Sequence, residues 1–168
     1  MIVVADSGPL RYLILIEQIK VLPLLYGSIV LPTGVMHELT HTATPDVVRM
    51  WMEELPEWVT IKSPRKPTDC SALLGPGELE AIALAEELNA DVMLVDDEAA
   101  RREAKRRSIP VQGTLGVLDL AAEHGFIPGL SDPIRRLRDT NFRASDKLLQ
   151  FFLERDAMRK TEKADRGY

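Results

Sequence analysis

The chain has 168 residues, of which 45% are hydrophobic and 28% charged, the balance of one globular domain with a substantial core. Its formal net charge is −5, which excludes nucleic-acid binding through overall basicity and leaves only local basic patches for that role. The single cysteine, Cys70, excludes an internal disulfide, and the absence of a leader-like start or a membrane-length apolar run predicts a cytoplasmic protein without a membrane partner.

The first half of the chain alternates short apolar runs with helical patterns. Ile2–Ala5 is apolar and β-branched, which predicts a buried strand, and the Ser-Gly-Pro that follows Asp6 is typical of a helix start. The pattern then predicts, in order, a helical segment over Leu10–Leu25 broken at Pro23, a strand at Ile29–Leu31, a helix carrying Glu38, a helix over Pro45–Leu55 and a strand at Trp58–Ile61.

The second half continues this alternation after a loop predicted over Ser63–Gly77. The elements predicted next are a helix at Glu78–Leu88, a strand at Val92–Val95, a charged helix to Arg107, a strand at Ile109–Val111, a helix after Gly113-Thr114, and helices near 133–138 and 145–152. Strands that alternate with helices predict an α/β fold with a parallel sheet of four to five strands and helices on both faces. We expect one domain over 1–154 and a frayed polar tail over 155–168.

Acidic residues follow the predicted strands. Asp6 ends the first strand, and Asp96 and Asp97 end a later one, while Thr114 comes just after the last. Ligands of parallel sheets bind beyond the carboxyl ends of the strands, so these positions are expected to meet at one edge. Glu38, early in the helix after the second strand, is placed to reach the same edge.

Glu78 joins this group by helical phase. It lies on the face of its helix that carries Ala81 and Ile82, which are expected to pack on the sheet. Glu80, two residues on, points nearly the opposite way unless the first turn is distorted. Glu78 is therefore the better candidate, and Glu80 is kept as a second one.

Clustered carboxylates repel one another, so such a group needs a cation to stay ionised. Oxygen ligands without histidine or cysteine favour Mg²⁺ or Mn²⁺. A metal of this kind lowers the pKa of a bound water and orients a phosphate for attack, which predicts hydrolysis of a phosphodiester. Ser7 and Thr114 are candidates for positioning the water or a phosphate oxygen.

Each of these residues also has a purely structural interpretation. Asp6 and Asp97 are placed to cap helices, Glu78 and Glu80 to stabilise a helix N-terminus, and Glu38 to face solvent. Basic residues on the charged helix are candidates for holding an RNA backbone, although they also fit a solvated helix face: Arg101, Arg102 and Lys105.

Four segments together resemble a known family. Val4-Ala5-Asp6-Ser7-Gly8-Pro9-Leu10, Gly77-Glu78-Leu79-Glu80-Ala81-Ile82, Val95-Asp96-Asp97 and Gly113-Thr114-Leu115-Gly116-Val117-Leu118 are similar to the successive motifs of PIN domains, most closely to a VapC-like branch. The resemblance implies a parallel α/β fold and an RNA-cutting Mg²⁺ or Mn²⁺ site. It also implies a toxin that a small antitoxin neutralises and that forms a homodimer.

By motif, the resemblance makes Asp6 the first acid, Glu38 the second, Glu78 the third, and Asp96 or Asp97 the fourth. Glu80 stays a candidate metal ligand because Glu-Leu-Glu is also similar to the two-glutamate motif of flap-type nucleases. The sequence departs from the usual toxin pattern, which has aspartate at position 78, Thr-x-Asp at the final motif and Thr-Ser after the first acid.

Other functions are left open by the sequence. A PIN-fold module that binds RNA or a protein without cutting predicts the same fold with a weaker metal site. A phosphoryl-transfer enzyme of the haloacid-dehalogenase type would need an aspartate at position 8, which is glycine here. The chain is also compatible with being one half of a complex that is inactive alone or inhibited by its partner.

Overall fold

The computed structural model describes residues 1–70 and 73–165. Its strands are β1 (Val3–Ala5), β2 (Ile29–Pro32), β3 (Val59–Lys62), β4 (Val92–Leu94) and β5 (Val111–Gln112). Its helices are α1 (Ser7–Leu15), α2 (Val21–Tyr26), α3 (Thr33–Leu39), α4 (Asp46–Glu53), α5 (Pro76–Glu87), α6 (Glu98–Arg106), α7 (Thr114–Glu123), α8 (Ser131–Arg138) and α9 (Asp146–Asp165).

The strands form one parallel sheet in the order β3-β2-β1-β4-β5. In the central pairings, Val4 of β1 lies opposite Val30 of β2 and Met93 of β4. After β1 the chain forms β2 and β3 on one side of that strand, and it then crosses back to form β4 and β5 on the other side. The carboxyl ends of β1 and β4 therefore form a topological switch point, the usual location of a ligand site in a parallel sheet.

Different helices cover the two faces of the sheet. Successive side chains of a strand point to opposite faces, so Val3 and Ala5 belong to one apolar cluster and Val4 to the other. Helices α5 and α6 pack in the cluster that contains Val4, whereas the remaining helices pack in the larger cluster. The predicted α/β fold, with five parallel strands and helices on both faces, is confirmed.

Two sequence predictions are wrong in detail. The helical segment Leu10–Leu25 does break, but at residues 16–20, where Glu17 takes a φ of 59°. Pro23 instead lies in the first turn of α2, where its missing N–H costs little. The chain beyond residue 154 is also not a frayed tail, because α9 continues to Asp165; residues 166–168 lie outside the described part.

Buried ion pairs explain why α9 continues. Asp156 is 4% exposed, and its Oδ2 accepts a hydrogen bond of 3.1 Å from the backbone N–H of Leu130. Arg159 Nη2 lies 2.8 Å from Asp119 Oδ1 and 3.3 Å from Asp156 Oδ1, which joins α9 to α7. Polar composition alone does not show such long-range pairs, so the sequence pattern suggested a loose tail.

Among the helices of the described residues, none combines the length and the apolar character needed to cross a lipid bilayer.

Candidate active site

Asp6 lies at the carboxyl end of β1, between that strand and the start of α1. Asp6 is 3% exposed, and its Oδ1 atom is buried without a hydrogen-bond partner among the described residues. Burial raises the pKa of Asp6 to about 7, partly offset by the backbone N–H of Ser7, and the charges of Glu78, Glu38 and Asp96 raise it further. A buried acceptor without a donor is unfavourable, which makes this atom a candidate ligand of a cation.

Glu38 reaches the same edge from α3. Its Oε1 accepts a hydrogen bond of 3.0 Å from the backbone N–H of Gly77, in the first turn of α5. A Cβ at Gly77 would overlap this carboxylate. The absence of a side chain at Gly77 therefore lets the Glu38 carboxylate approach α5 closely, whereas the sequence indicated only the end of the loop predicted over Ser63–Gly77.

Glu78 occupies the third position of α5, since this helix begins at Pro76, two residues before the predicted start at Glu78. Its Oε2 accepts a hydrogen bond of 2.7 Å from the backbone N–H of Gly75, which completes the Glu78 side of a capping box. Burial raises the pKa of Glu78, the Gly75 N–H lowers it, and the charges of Asp97 and Glu38 raise it. The Glu78 side chain therefore caps α5 and also lies close enough to other acids for their charges to raise its pKa.

Asp96 follows β4 and is held from the N-terminus of α7. Its Oδ1 accepts a 2.8 Å hydrogen bond from the backbone N–H of Thr114, and its Oδ2 accepts one of 2.6 Å from the Thr114 hydroxyl. Burial raises the pKa of Asp96, while these two hydrogen bonds and the charge of Arg101 lower it. Thr114 is fully buried, so its hydroxyl orients Asp96 and is not free to hold water or phosphate, contrary to the sequence-based expectation.

Two other candidate acids have structural contacts. Asp97 is exposed and caps α6, since its Oδ1 accepts a 2.8 Å hydrogen bond from the backbone N–H of Ala100. Glu80 is turned toward α3, where its Oε2 accepts a hydrogen bond of 2.7 Å from the backbone N–H of Gly34. Asp97 still acts on Glu78 through its charge, whereas Glu80 is not among the groups that raise the pKa of Asp6.

The convergence of acids does not amount to a formed coordination sphere. Within residues 1–70 and 73–165, no group of three or more His, Cys, Asp or Glu side chains is arranged to hold a metal ion. The reason is local, since Glu38, Glu78 and Asp96 each accept a hydrogen bond from a backbone N–H. The donor chemistry nevertheless fits a hard divalent cation, because the unpaired atom of Asp6 and its neighbours are carboxylate oxygens.

The basic residues predicted for RNA binding lie on different sides of α6. Arg101 is half-buried beside Asp96, with its Nη1 donating a hydrogen bond of 2.9 Å to the backbone carbonyl of Val95. Arg102 and Lys105 are exposed, and Arg102 lies 4.0 Å from Glu98. Only Arg101 is therefore part of the acidic edge, and Ser7 stays a candidate through its place directly after Asp6.

A parallel sheet with acids at its switch point places the described residues in the class of α/β domains with a ligand site at the strand ends, an architecture that PIN domains share. The sequence matches the family model DUF3368, a PIN domain, over residues 2–157, so the chain belongs to the PIN-domain family. The fold is similar to that of a PilT N-terminus domain protein from the hyperthermophilic archaeon Sulfolobus solfataricus P2. That likeness has a TM-score of 0.55 and 18% sequence identity, and it covers 74% of this chain and 96% of the other.

The sequence matches none of the curated proteins with which it was compared. PIN domains are generally nucleases that use divalent metal ions, so the family supports a module of the nuclease type. The assignment to a VapC-like branch stays a prediction.

Proposed function

We propose that this chain is an Mg²⁺- or Mn²⁺-dependent endoribonuclease that hydrolyses phosphodiester bonds in RNA. The observation that carries the proposal is the buried, unpaired Oδ1 of Asp6 among the charges of Glu38, Glu78 and Asp96. The PIN family supports nuclease chemistry, and the choice of RNA rests on the resemblance of the motifs to VapC-like proteins.

The residues that would hold the metal are Asp6, Glu78 and Asp96, with Glu38 and Asp97 at the border of the group. When bound, the metal supplies an activated water and neutralises charge on the phosphate. Asp6 contributes an unpaired oxygen at the switch point, and Thr114 keeps the Asp96 carboxylate in one orientation. Glu38 and Glu78 are held by backbone N–H groups, which a cation would have to replace as partners.

A toxin role, a small antitoxin partner and a homodimer are further parts of this proposal and rest on the same resemblance. Helix α9 offers a surface for such a partner, because Leu148, Phe151 and Met158 are 44%, 54% and 66% exposed. Leu149 of the same helix is buried in the core, so the segment Leu148–Leu153 serves both core and surface.

A PIN-fold module that binds RNA without cutting it is the second candidate. One observation favours it: the acids of the edge are turned to backbone N–H groups and are not arranged as a three-ligand group in the described residues.

The test is cleavage of a labelled pool of single-stranded RNA in Mg²⁺, in Mn²⁺ and in EDTA. The wild-type protein, purified free of bound proteins, is compared with Asp6→Asn and with Glu57→Gln, a matched loss of charge at an exposed position before β3. We expect metal-dependent cutting that falls at least about 1,000-fold in Asp6→Asn and is unchanged in Glu57→Gln. Equal cutting by wild type and Asp6→Asn would contradict the proposal, and RNA binding without cutting would favour the second candidate.

A further inference from the structure

A cleft of about 380 Å³ lies directly beside the acidic edge. One side is formed by the end of β5 and the first turn of α7, and the other by the segment that leads into α9. Asp96 and Arg101 form the border that the cleft shares with the acids. The larger side chains that also line it include those of Gln112, Leu115, Phe142, Arg143, Leu148 and Phe152. If one phosphate of an RNA chain lay at the acids, the adjacent nucleotide would therefore lie at this cleft.

Gln112 presents a defined hydrogen-bonding group in the cleft. Its Oε1 accepts a hydrogen bond of 2.5 Å from the hydroxyl of Tyr26. Burial raises the pKa of Tyr26 to about 12, so this hydroxyl keeps its proton and stays a donor at neutral pH. With its oxygen in use, the amide is left to offer the two N–H bonds of Nε2.

Apolar and aromatic side chains form the walls. Phe142 is half-buried, and its ring packs edge-on against Tyr12 with centroids 4.9 Å apart, which fixes its position. Phe152 packs in a similar manner against Phe151, with centroids 5.3 Å apart. Aromatic walls with a few polar groups are the usual environment of an unstacked nucleobase.

The polar groups of the cleft are mainly donors. Arg101 and Arg143 carry guanidinium groups, which donate only, while each oxygen of Asp96 already accepts one hydrogen bond from Thr114. In a chain of net charge −5, this places two cations next to the site where a phosphate would bind. A ligand that presents acceptors and carries negative charge fits this surface.

We propose that the cleft binds an unpaired RNA base next to the cleaved phosphodiester, and that Gln112 selects keto bases, guanine and uracil, over amino bases. The O6 atom of guanine or the O4 atom of uracil accepts a hydrogen bond from Gln112 Nε2. Adenine and cytosine carry an amino group at the equivalent position, N6 or N4, which brings a second donor to that place. This inference rests on the proposed function, since it assigns the base that accompanies the phosphate.

The test uses binding in EDTA, so that it does not depend on cleavage. The probes are four fluorescently labelled RNA hexamers. Each carries a single base, guanine, uracil, adenine or cytosine, and is abasic at all other positions. The readout is fluorescence anisotropy. Four proteins are compared: wild type, Gln112→Glu, Gln112→Met, and Gln150→Glu as a matched change at an exposed position outside the cleft. Circular dichroism checks that each variant is folded.

We expect the wild type and Gln150→Glu to bind the guanine and uracil probes about five- to tenfold more tightly than the others. Gln112→Met, which has nearly the same shape but no donor, is expected to lose this preference. Gln112→Glu keeps the acceptor for Tyr26 and presents an acceptor to the base, so its preference is expected to reverse toward adenine and cytosine.

Equal affinity for the four probes in wild type, no binding of any probe, or the same order of bases in Gln112→Glu would overturn the inference. Failure of the proposed function gives a different result. A protein that cuts RNA without base preference is a nuclease whose cleft has no such role, whereas one that selects bases without cutting has the cleft but lacks hydrolysis.

Discussion

Two groups of buried or half-buried acids in this molecule differ in how their charge is compensated. In the first group, each acid has cationic side chains beside it: Glu103 with Arg106 and Arg107, Asp119 with Arg155 and Arg159, and Asp156 with Arg159 and Lys160. In the second group, at the sheet edge, none of the acids forms a salt bridge within the described residues: Asp6, Glu38, Glu78 and Asp96.

The pKa values follow this division. Hydrogen bonds from Arg106 and Arg107 lower the pKa of Glu103 to about 2. Burial opposes ionisation of Asp156, but Lys160, the N–H of Leu130 and Arg159 outweigh it and lower the pKa. Burial instead raises the pKa of Asp6 to about 7. Arginine and lysine side chains thus stabilise the structural acids, whereas at the edge burial raises the pKa of Asp6 and also that of Asp96, where the charge of Arg101 offsets it only in part.

The largest loss of stability is expected from removing a structural cation. Arg159→Met leaves Asp119 and Asp156 with one cation fewer each at positions that are nearly buried. We expect the free energy of unfolding to fall by about 3 kcal/mol, measured by urea denaturation. Arg102→Met, which removes an exposed arginine, serves as the control with a change below about 0.5 kcal/mol. Similar small changes in both variants would erase the distinction between the two groups.

At the sheet edge, by contrast, removing an acid is expected to raise the free energy of unfolding. The folded pKa of Asp6 is about 7 and its ordinary value is 3.8, so the metal-free protein loses stability as the pH rises from about 4 to about 7. In EDTA at pH 8, Asp6→Asn is expected to raise the free energy of unfolding by about 2–4 kcal/mol. Glu103 has the opposite pH dependence, because its pKa is lowered on folding. Its ionised form stabilises the protein above pH 4.5, and this stabilisation is lost as the pH falls from 4.5 toward 2. Thermal denaturation of the wild type and of Asp6→Asn across pH in EDTA measures this difference in stability. If Asp6→Asn were less stable than the wild type at pH 8, the expectation would be contradicted.

Two glutamates of one helix provide the next comparison. Glu78→Gln keeps the capping box, since glutamine also fits its third position, but removes a charge from the acid group. We expect RNA cleavage to fall about 100-fold, which corresponds to roughly 2.7 kcal/mol of transition-state stabilisation. Glu80→Gln keeps an acceptor for the Gly34 N–H and is expected to stay within about threefold of wild type, measured as kcat/KM. Equal losses in the two variants would place Glu80 in the site.

The smallest effect concerns Gly77. A Cβ at this position displaces the Glu38 carboxylate, while alanine suits the first turn of α5. Gly77→Ala is therefore expected to lower cleavage about tenfold and to leave the melting temperature nearly unchanged. Unchanged cleavage would mean that the position of Glu38 is not important for the reaction.

Much of the fold could be predicted because it depends on local patterns. The apolar strands that end at Asp6 and Asp96 could be predicted from their composition and length, and parallel pairing brings their carboxyl ends together, whereas the order of the strands in the sheet is known only from the structure. Glu78 could be placed by helical phase for the same reason. These residues are fixed by the backbone of their own element, which the nearby sequence determines.

The remaining features depend on contacts between distant parts of the chain. The Thr114 hydroxyl is used by Asp96, and the Glu80 carboxylate reaches Gly34 in another helix. Arg159 pairs with Asp119, 40 positions away in sequence, and this pairing makes a helix of an expected tail. Gln112 likewise takes its orientation from Tyr26. Which partner a side chain meets at such range is not encoded in a local pattern.

The central claim is that the acids of the sheet edge bind a divalent cation through the Oδ1 of Asp6 and its neighbours, and calorimetric titration with Mn²⁺ at pH 7 tests it most directly. Two buffers of different ionisation enthalpy count the protons released. Wild type and Glu80→Gln are expected to bind Mn²⁺ with release of protons from Asp6, and Asp6→Asn is expected to lose both binding and release. Mn²⁺ binding of equal strength in Asp6→Asn, or no binding by the wild type, would contradict the account.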